Sequence, residues 1–239
     1  MNTNRLAALA TSALVAACGG GGGPDGPSST AEGFWVGPTS SGYTARLVVL
    51  ENGETWGLYS TPTAVVGALY GSTNSSSNGT LTGSGSDFYF PGRLLQTANY
   101  SGTYTAKQRV SVTTSLGSGF TGNYAPEYDT PASLTAVAGT YGGFGLTLNS
   151  GGYSVPMTIT AAGTVTASTP QCAGTGTIQP RATGKGVFNF TIAFTGASCP
   201  LASPGSTSGV AVYDTASRTL VSLSLNPGKS NGHFWQGVK

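Results

Sequence analysis

The side chains that can carry chemistry are few in this chain and are widely scattered. Its 239 residues include eight acids, one histidine and three cysteines. A serine triad would have to use His233, and the sequence contains no Gly-x-Ser-x-Gly elbow. Glycosidase chemistry needs two carboxylates placed several ångströms apart, and the close pairs are Glu51 with Glu54 and Glu127 with Asp129. Neither pair has a distinguishing context, so the sequence predicts a protein that is not an enzyme and has no cofactor.

One glycine-rich motif has the spacing of a nucleotide-binding loop. Residues 117–122 satisfy Gly-x-Gly-x-x-Gly. They lack the following helix and the distant acid that a dinucleotide site requires. We therefore interpret this segment as a glycine-rich β-turn.

The first residues have the pattern of a secretory signal. Met1 to Arg5 is weakly basic, and Leu6 to Val15 is apolar but too short to span a bilayer. The following Val-Ala-Ala-Cys18 resembles the lipobox of bacterial lipoproteins, which implies acylation of Cys18 and attachment to a lipid bilayer. The alternative is an ordinary export signal with an incidental cysteine. Because Gly19 rather than Asp follows the cysteine, the resemblance further implies the outer membrane, with either its surface or its periplasmic face as the location.

Composition predicts an exported β protein after the signal. Charged residues make up 8% of the chain, against about a quarter in a typical globular protein. Gly, Ser, Thr, Tyr and Phe dominate instead, and apolar and polar residues alternate beyond residue 33. The net charge of +2 and the absence of a basic cluster argue against a nucleic acid partner.

Two cysteines remain once Cys18 is assigned to the lipid anchor. In an oxidising compartment, Cys172 and Cys199 predict a disulfide. Closing the loop between them would stabilise the fold by about 3–4 kcal/mol. Two cysteines and one distant histidine form a poor metal site, so no metal is predicted.

A hairpin around Asn52-Gly53 supplies the candidate ligand-binding residues. A two-residue turn there places Glu51 opposite Glu54, Val49 opposite Trp56 and Leu47 opposite Leu58, all on one face. An apolar patch would then end in two adjacent carboxylates. Glu51, Glu54 and Trp56 are the speculative ligand-binding residues of a cation-binding mouth, and the alternative is a pair of solvated loop acids.

Short strands separated by Gly, Ser and Asn predict an all-β, mainly antiparallel meander. We expect two small barrel-like or sandwich-like units joined by one short helix over Ala132 to Ala138, with Thr130 as its N-cap. Phe188, Phe190, Ile192 and Phe194 alternate with polar residues and predict a core strand. The alternative is one continuous barrel. The predicted segments are the signal peptide (1–17), the lipidated Cys and Gly-rich tether (18–32), the first β unit (33–128), the linking segment (129–138) and the second β unit with the disulfide (139–239).

Glycine-aromatic patterns open both halves of the body. Gly33-Phe34-Trp35-Val36-Gly37 and Gly139-Thr140-Tyr141-Gly142 lie about one hundred residues apart, which suggests two related units. With a lipidated cysteine and a glycine tether, the chain resembles the transferrin-binding and factor-H-binding surface lipoproteins, and also uncharacterised proteobacterial lipoproteins. Calycin barrels such as lipocalins also begin with a loosely similar strand. The resemblance implies β-barrel units and assigns no ligand contact.

Three functions remain open from the sequence. The first is a non-catalytic binding or adhesion module that recognises an extracellular macromolecule through exposed tyrosines and polar loops such as residues 72–79. The second is a periplasm-facing carrier of a small apolar ligand, inside a barrel lined by Trp56 and the stripe of residues 188–194. The third is a structural envelope lipoprotein. The side chains of residues 188–194 are expected to fill a core rather than line a cavity.

Overall fold

The computed structural model describes residues 30–239, which form two closed antiparallel β-barrels. Cys18, the signal and most of the tether lie outside the described residues, so the lipid anchor and the tether stay predictions. The prediction of an all-β chain with two units is confirmed, and the alternative of one continuous barrel is wrong. The first barrel contains β1 (Gly33–Pro38), β2 (Thr44–Val49), β3 (Glu54–Ser60), β4 (Val65–Ser75), β5 (Thr80–Tyr89), β6 (Leu94–Thr105), β7 (Arg109–Thr114) and β8 (Gly119–Ala125).

Neighbours in sequence pair throughout the first barrel, and β1 closes it by pairing with β8. Successive side chains of a strand point to opposite faces. Trp35 and Val49 therefore lie inside, whereas Phe34 and Val48 lie outside. Residues 117–122 form the turn before β8 and its first residues, as the interpretation of a glycine-rich β-turn predicts. Residues 72–75, expected in a polar loop, instead belong to β4 and pair with β5.

The second barrel closes through pairing of its first and last strands. β10 and β11 pair with the same edge of β9 and act as one strand, which is interrupted at Pro156 because proline has no N–H to donate. Its strands are β9 (Gly139–Leu146), β10 (Tyr153–Ser154), β11 (Met157–Ile159), β12 (Thr164–Ser168), β13 (Ala173–Pro180), β14 (Phe188–Thr195), β15 (Thr207–Asp214), β16 (Thr219–Leu225) and β17 (Gly232–Val238).

The predicted core strand of the second barrel is present as β14. Phe188, Phe190, Ile192 and Phe194 are all buried in one cluster inside the barrel. The disulfide between Cys172 and Cys199 belongs to the same cluster, with a Cα–Cα distance of 4.9 Å. The filled-core interpretation of this stripe and the disulfide prediction are confirmed.

A short linking segment joins the barrels. It contains a 3-10 turn, Pro126–Asp129, and a single helical turn, α1 (Leu134–Val137). The predicted helix over residues 132–138 is too long, and its predicted cap is wrong. Thr130 is extended and its N–H donates to the Glu127 carbonyl, whereas Ser133 Oγ accepts the Ala136 N–H at 3.3 Å and so caps α1.

The outer faces of the two barrels share one apolar core. Phe88 and Phe90 of the first barrel contact Phe234 of β17, with ring centroids 5.3 and 5.1 Å apart. Trp56 is 1% exposed in the same cluster, which also contains Leu223 and other side chains of the second barrel. Because both barrels contribute to this cluster, we expect them to be coupled in stability.

The two barrels begin with the same local structure, a glycine with positive φ followed two residues later by a hydrogen-bonded aromatic side chain. Gly33 and Gly139 have φ of +151° and +148°, a conformation that favours glycine. The aromatic residue two positions later donates back to a carbonyl four residues before it: Trp35 Nε1 to Ala31 O at 2.9 Å, and Tyr141 Oη to Val137 O at 2.5 Å. This correspondence supports the interpretation of two related units.

A hollow first barrel as candidate binding site

The first barrel encloses a cavity of about 460 Å³. Small-molecule sites typically measure ~300–1,000 Å³, so the cavity is large enough for a ligand. It opens at the end of the barrel formed by the β1–β2, β5–β6 and β7–β8 turns. The second barrel differs, because aromatic and aliphatic side chains fill its interior, and a void among them measures about 10 Å³.

The cavity exists because small residues occupy inward-facing positions on β4, β5 and β6. Gly71 pairs with Gly85, and Gly85 pairs with Ala98 on the next strand. All three residues line the cavity. Three adjacent strands therefore present almost no side chain to the middle of the barrel, where small barrels are usually filled.

Large apolar side chains close the opposite end. Trp35, Val49 and Leu81 are buried there and line the cavity floor. The Trp35 indole is fixed by its hydrogen bond to Ala31, whose N–H donates to Ser75 Oγ at 3.0 Å. The floor is therefore rigid and apolar.

A chain of hydroxyls lies above the floor and is internally satisfied. Thr73 Oγ1 lies 2.7 Å from both Thr55 Oγ1 and Tyr100 Oη. Thr55 Oγ1 donates to the Gly53 carbonyl at 3.1 Å, and Tyr100 Oη donates to the Ser72 carbonyl at 3.1 Å. Because each of these hydroxyls already has a hydrogen-bond partner, an apolar ligand could lie against this wall without leaving a hydroxyl unpaired.

One carboxyl group lies near the mouth of the cavity. Asp87 faces inward from β5, and the Tyr59 hydroxyl donates to its Oδ1 at 2.8 Å. Burial raises the pKa of Asp87, and the hydrogen bond from Tyr59 opposes that rise. Burial also raises the pKa of Tyr59, as does the neighbouring Asp87, so the phenol keeps its proton.

Exposed leucines border the mouth. Leu94 and Leu116 line the cavity and are 49% and 57% exposed. An apolar molecule entering the barrel would meet these side chains first. The lining thus runs from a rim that carries these two leucines, past one carboxyl group, to an apolar floor.

The hairpin predicted to form a cation-binding mouth has a different register from the predicted one. The turn contains three residues, Glu51 to Gly53, with Gly53 at φ +81°, so Leu50 rather than Glu51 is bonded to Glu54. Trp56 therefore pairs with Val48 and not with Val49. The predicted register and its shared apolar face are wrong because the extra turn residue reverses the faces of β3 relative to β2.

The side chains of Glu51 and Trp56 serve the contact between the barrels. Glu51 forms an ion pair with Arg181 of the second barrel. Trp56 lies on the outer face of the first barrel against Tyr70, with ring centroids 4.7 Å apart, and the Lys229 Nζ is 5.8 Å from its ring. The lining that the carrier hypothesis assigned to Trp56 and residues 188–194 is therefore wrong, since neither Trp56 nor that stripe lines the cavity of the first barrel.

His233 is buried in the second barrel, away from the cavity. It is 4% exposed; Nε2 donates to the Leu201 carbonyl at 2.6 Å, and Nδ1 lies 3.0 Å from Thr207 Oγ1. Burial lowers the pKa of His233, against which the hydrogen bond to Leu201 acts. The ring is neutral at pH 7 and has a structural role.

A charged cluster fixes the linking segment. Asp129 accepts hydrogen bonds from Lys107 at 2.9 Å, Lys185 at 3.0 Å and Tyr124 at 2.9 Å. Burial acts to raise the pKa of Asp129, but these hydrogen bonds outweigh it and hold that pKa at about 2. The carboxylate joins the first barrel, the linking segment and the loop before β14.

The fold and the cavity define a double β-barrel with one hollow and one filled barrel. No known protein family, no curated protein and no solved structure matches the chain. Among residues 30–239, no helix combines the length and apolar character needed to cross a membrane.

Proposed function

We propose that the chain is a non-catalytic binding protein that holds a small, mainly apolar molecule inside its first barrel. The observation that carries this proposal is the cavity of about 460 Å³, open at one end and apolar at its floor. A small apolar molecule in a cavity of this size would bury most of its surface against the barrel wall and exchange contact with water for close packing. Of the functions that the sequence left open, the carrier fits the cavity best.

The adhesion function receives less support. It relied on exposed tyrosines in polar loops, but all eleven tyrosines are buried or half-buried. Residues 72–75 of the proposed recognition loop are part of β4. In residues 30–239, the tyrosines therefore offer less contact area than the adhesion hypothesis assumed.

Membrane attachment is part of the proposal. The lipobox-like segment ending at Cys18 supports an acylated anchor in the outer membrane, and a Gly-rich tether follows it. A tethered barrel would collect or deliver an apolar molecule close to the bilayer. Mass spectrometry of the mature N-terminus would test the anchor: an acylated Cys18 supports it, and an unmodified cysteine refutes it.

A cavity-filling substitution tests the binding proposal. Ala98→Phe places a ring opposite Gly85, where the barrel is empty. The matched control is Ala193→Phe, which adds the same ring to the outer face of the second barrel. Both variants are made in the chain carrying Cys18→Ser, so that no acyl chain competes for the cavity.

The readout is the affinity for N-phenyl-1-naphthylamine, a neutral apolar fluorophore. We expect the parent and Ala193→Phe to bind it, and Ala98→Phe to bind it at least about tenfold more weakly, because a few buried methylene equivalents are worth that much. Equal binding by both variants, with unchanged melting curves, would refute a ligand site in the first barrel.

A further inference from the structure

Asp87 stands out within the cavity because it lacks a cationic partner. In residues 30–239, Tyr59 is the one side chain that hydrogen-bonds its carboxyl group, through Oδ1. The ion pairs of the same residues involve Asp129 and Glu51, and Asp87 takes part in none of them. A carboxylate held at the wall of an apolar cavity is costly unless it is paired.

The position of Asp87 along the barrel makes the two ends of the cavity chemically different. It pairs with Leu69 on β4 and with Gln96 on β6. Tyr89 and Leu94, two residues nearer the mouth, form the next inward pair. In the other direction, the lining beyond Asp87 continues to Leu81 at the floor, six residues along β5, or roughly 20 Å at ~3.3 Å per residue.

From this arrangement we propose that the ligand is a cationic amphiphile, an apolar body or chain that carries one protonated amine. The amine pairs with the free carboxylate oxygen of Asp87 near the mouth, and the apolar part extends to the floor between Trp35 and Leu81. The inference rests on the proposed function, since it assigns the ligand class of the same cavity.

The geometry favours an amine over an anionic or a neutral head group. A fatty acid would bring its carboxylate against Asp87, and like charges in a cavity of low polarity repel each other. An alcohol can hydrogen-bond Asp87 but leaves its charge uncompensated. A protonated amine supplies both a hydrogen bond and a compensating charge, which makes the stronger, charge-assisted contact.

The test compares three ligands with the same ten-carbon tail. Decylamine, decanol and decanoate compete with N-phenyl-1-naphthylamine for the chain carrying Cys18→Ser, at pH 7. We expect decylamine to bind about tenfold more tightly than decanol, and decanoate most weakly, which is the discrimination expected of one partly exposed charge-assisted contact.

Asp87→Asn assigns this preference to one residue. It keeps an acceptor for the Tyr59 hydroxyl and removes the charge, so decylamine and decanol should bind equally well. The matched control Glu127→Gln removes an exposed carboxylate of the linking segment and should leave the preference intact.

The outcomes separate the inference from the function it rests on. If decanol and the fluorophore bind but the parent shows no preference for decylamine, the cationic amphiphile is refuted while the cavity remains a binding site. A preference that persists in Asp87→Asn also refutes the inference. If neither the fluorophore nor decanol binds, the proposed function itself fails.

Discussion

Phe234 offers the sharpest test of the coupling between the two barrels. Its ring is 2% exposed and packs against Phe88 and Phe90 of the other barrel. Truncating a buried phenylalanine to alanine costs about 3–5 kcal/mol. Because the cavity left by Phe234→Ala opens in the core shared by both barrels, we expect a loss of about 4 kcal/mol from the stability of the whole body.

The assay follows each part of the body through its own tryptophan. Trp35 lies inside the first barrel, Trp56 between the barrels and Trp235 in the core of the second. With 5-fluorotryptophan, the ¹⁹F resonances report urea unfolding at three places. At a slope of about 3 kcal/mol per molar urea, the Phe234→Ala midpoint should fall by about 1.3 M at all three.

The matched control is Phe144→Ala, which removes a ring that is 50% exposed. Substitution at such a surface position changes stability by about 0.5 kcal/mol, so its midpoint should move by about 0.2 M. The coupling argument fails if Phe234→Ala shifts the Trp235 midpoint and leaves that of Trp35 unchanged. Two independent barrels would give that pattern.

Three further predictions concern stability. Replacing Cys172 and Cys199 by alanine should cost about 3–4 kcal/mol in urea unfolding, because the disulfide closes a loop with a sequence separation of 27; an unchanged midpoint would contradict this. Asp129 has a lowered pKa of about 2, so its stabilisation is fully present above its ordinary pKa near 4 and is lost as the pH falls towards 2; Asp129→Asn should remove about 1 kcal/mol at pH 7, discounted because the carboxylate is 34% exposed. His233 also has a lowered pKa, so the unfolded chain takes up a proton below about pH 6.5 while the folded chain does not. Stability should therefore fall with decreasing pH by up to about 1.4 kcal/mol per unit, and an equal pH slope in His233→Gln would refute that role.

Local patterns were sufficient to predict several elements. The alternation of residues 188–194 predicted β14, because alternating apolar and polar residues indicate a strand without any information about its neighbours. The disulfide was likewise predicted correctly, from the two cysteines that remain after Cys18. The hairpin at Asn52-Gly53 was not, since the same dipeptide serves a two-residue or a three-residue turn, and one residue reverses a face.

The cavity could not be predicted from the sequence. Gly71, Gly85 and Ala98 are far apart in the chain and become neighbours only through the register of β4, β5 and β6. Asp87 follows a run of Gly and Ser, which weakens the apolar alternation that would distinguish the inner from the outer face of its strand. The sequence did contain one usable signal. Leu81, Asp87 and Tyr89 are separated by even numbers of residues, so their side chains lie on the same face of a strand, and two apolar residues identify that face as the inner one.

The most direct test of the central claim is to observe the cavity during titration with a ligand. Trp35 lines the cavity, whereas Trp235 lies in the filled barrel. In the fluorotryptophan-labelled chain carrying Cys18→Ser, saturable addition of decanol should shift the Trp35 ¹⁹F resonance and leave that of Trp235 in place. A Trp35 resonance that stays fixed while Trp56 or Trp235 responds would contradict binding inside the first barrel.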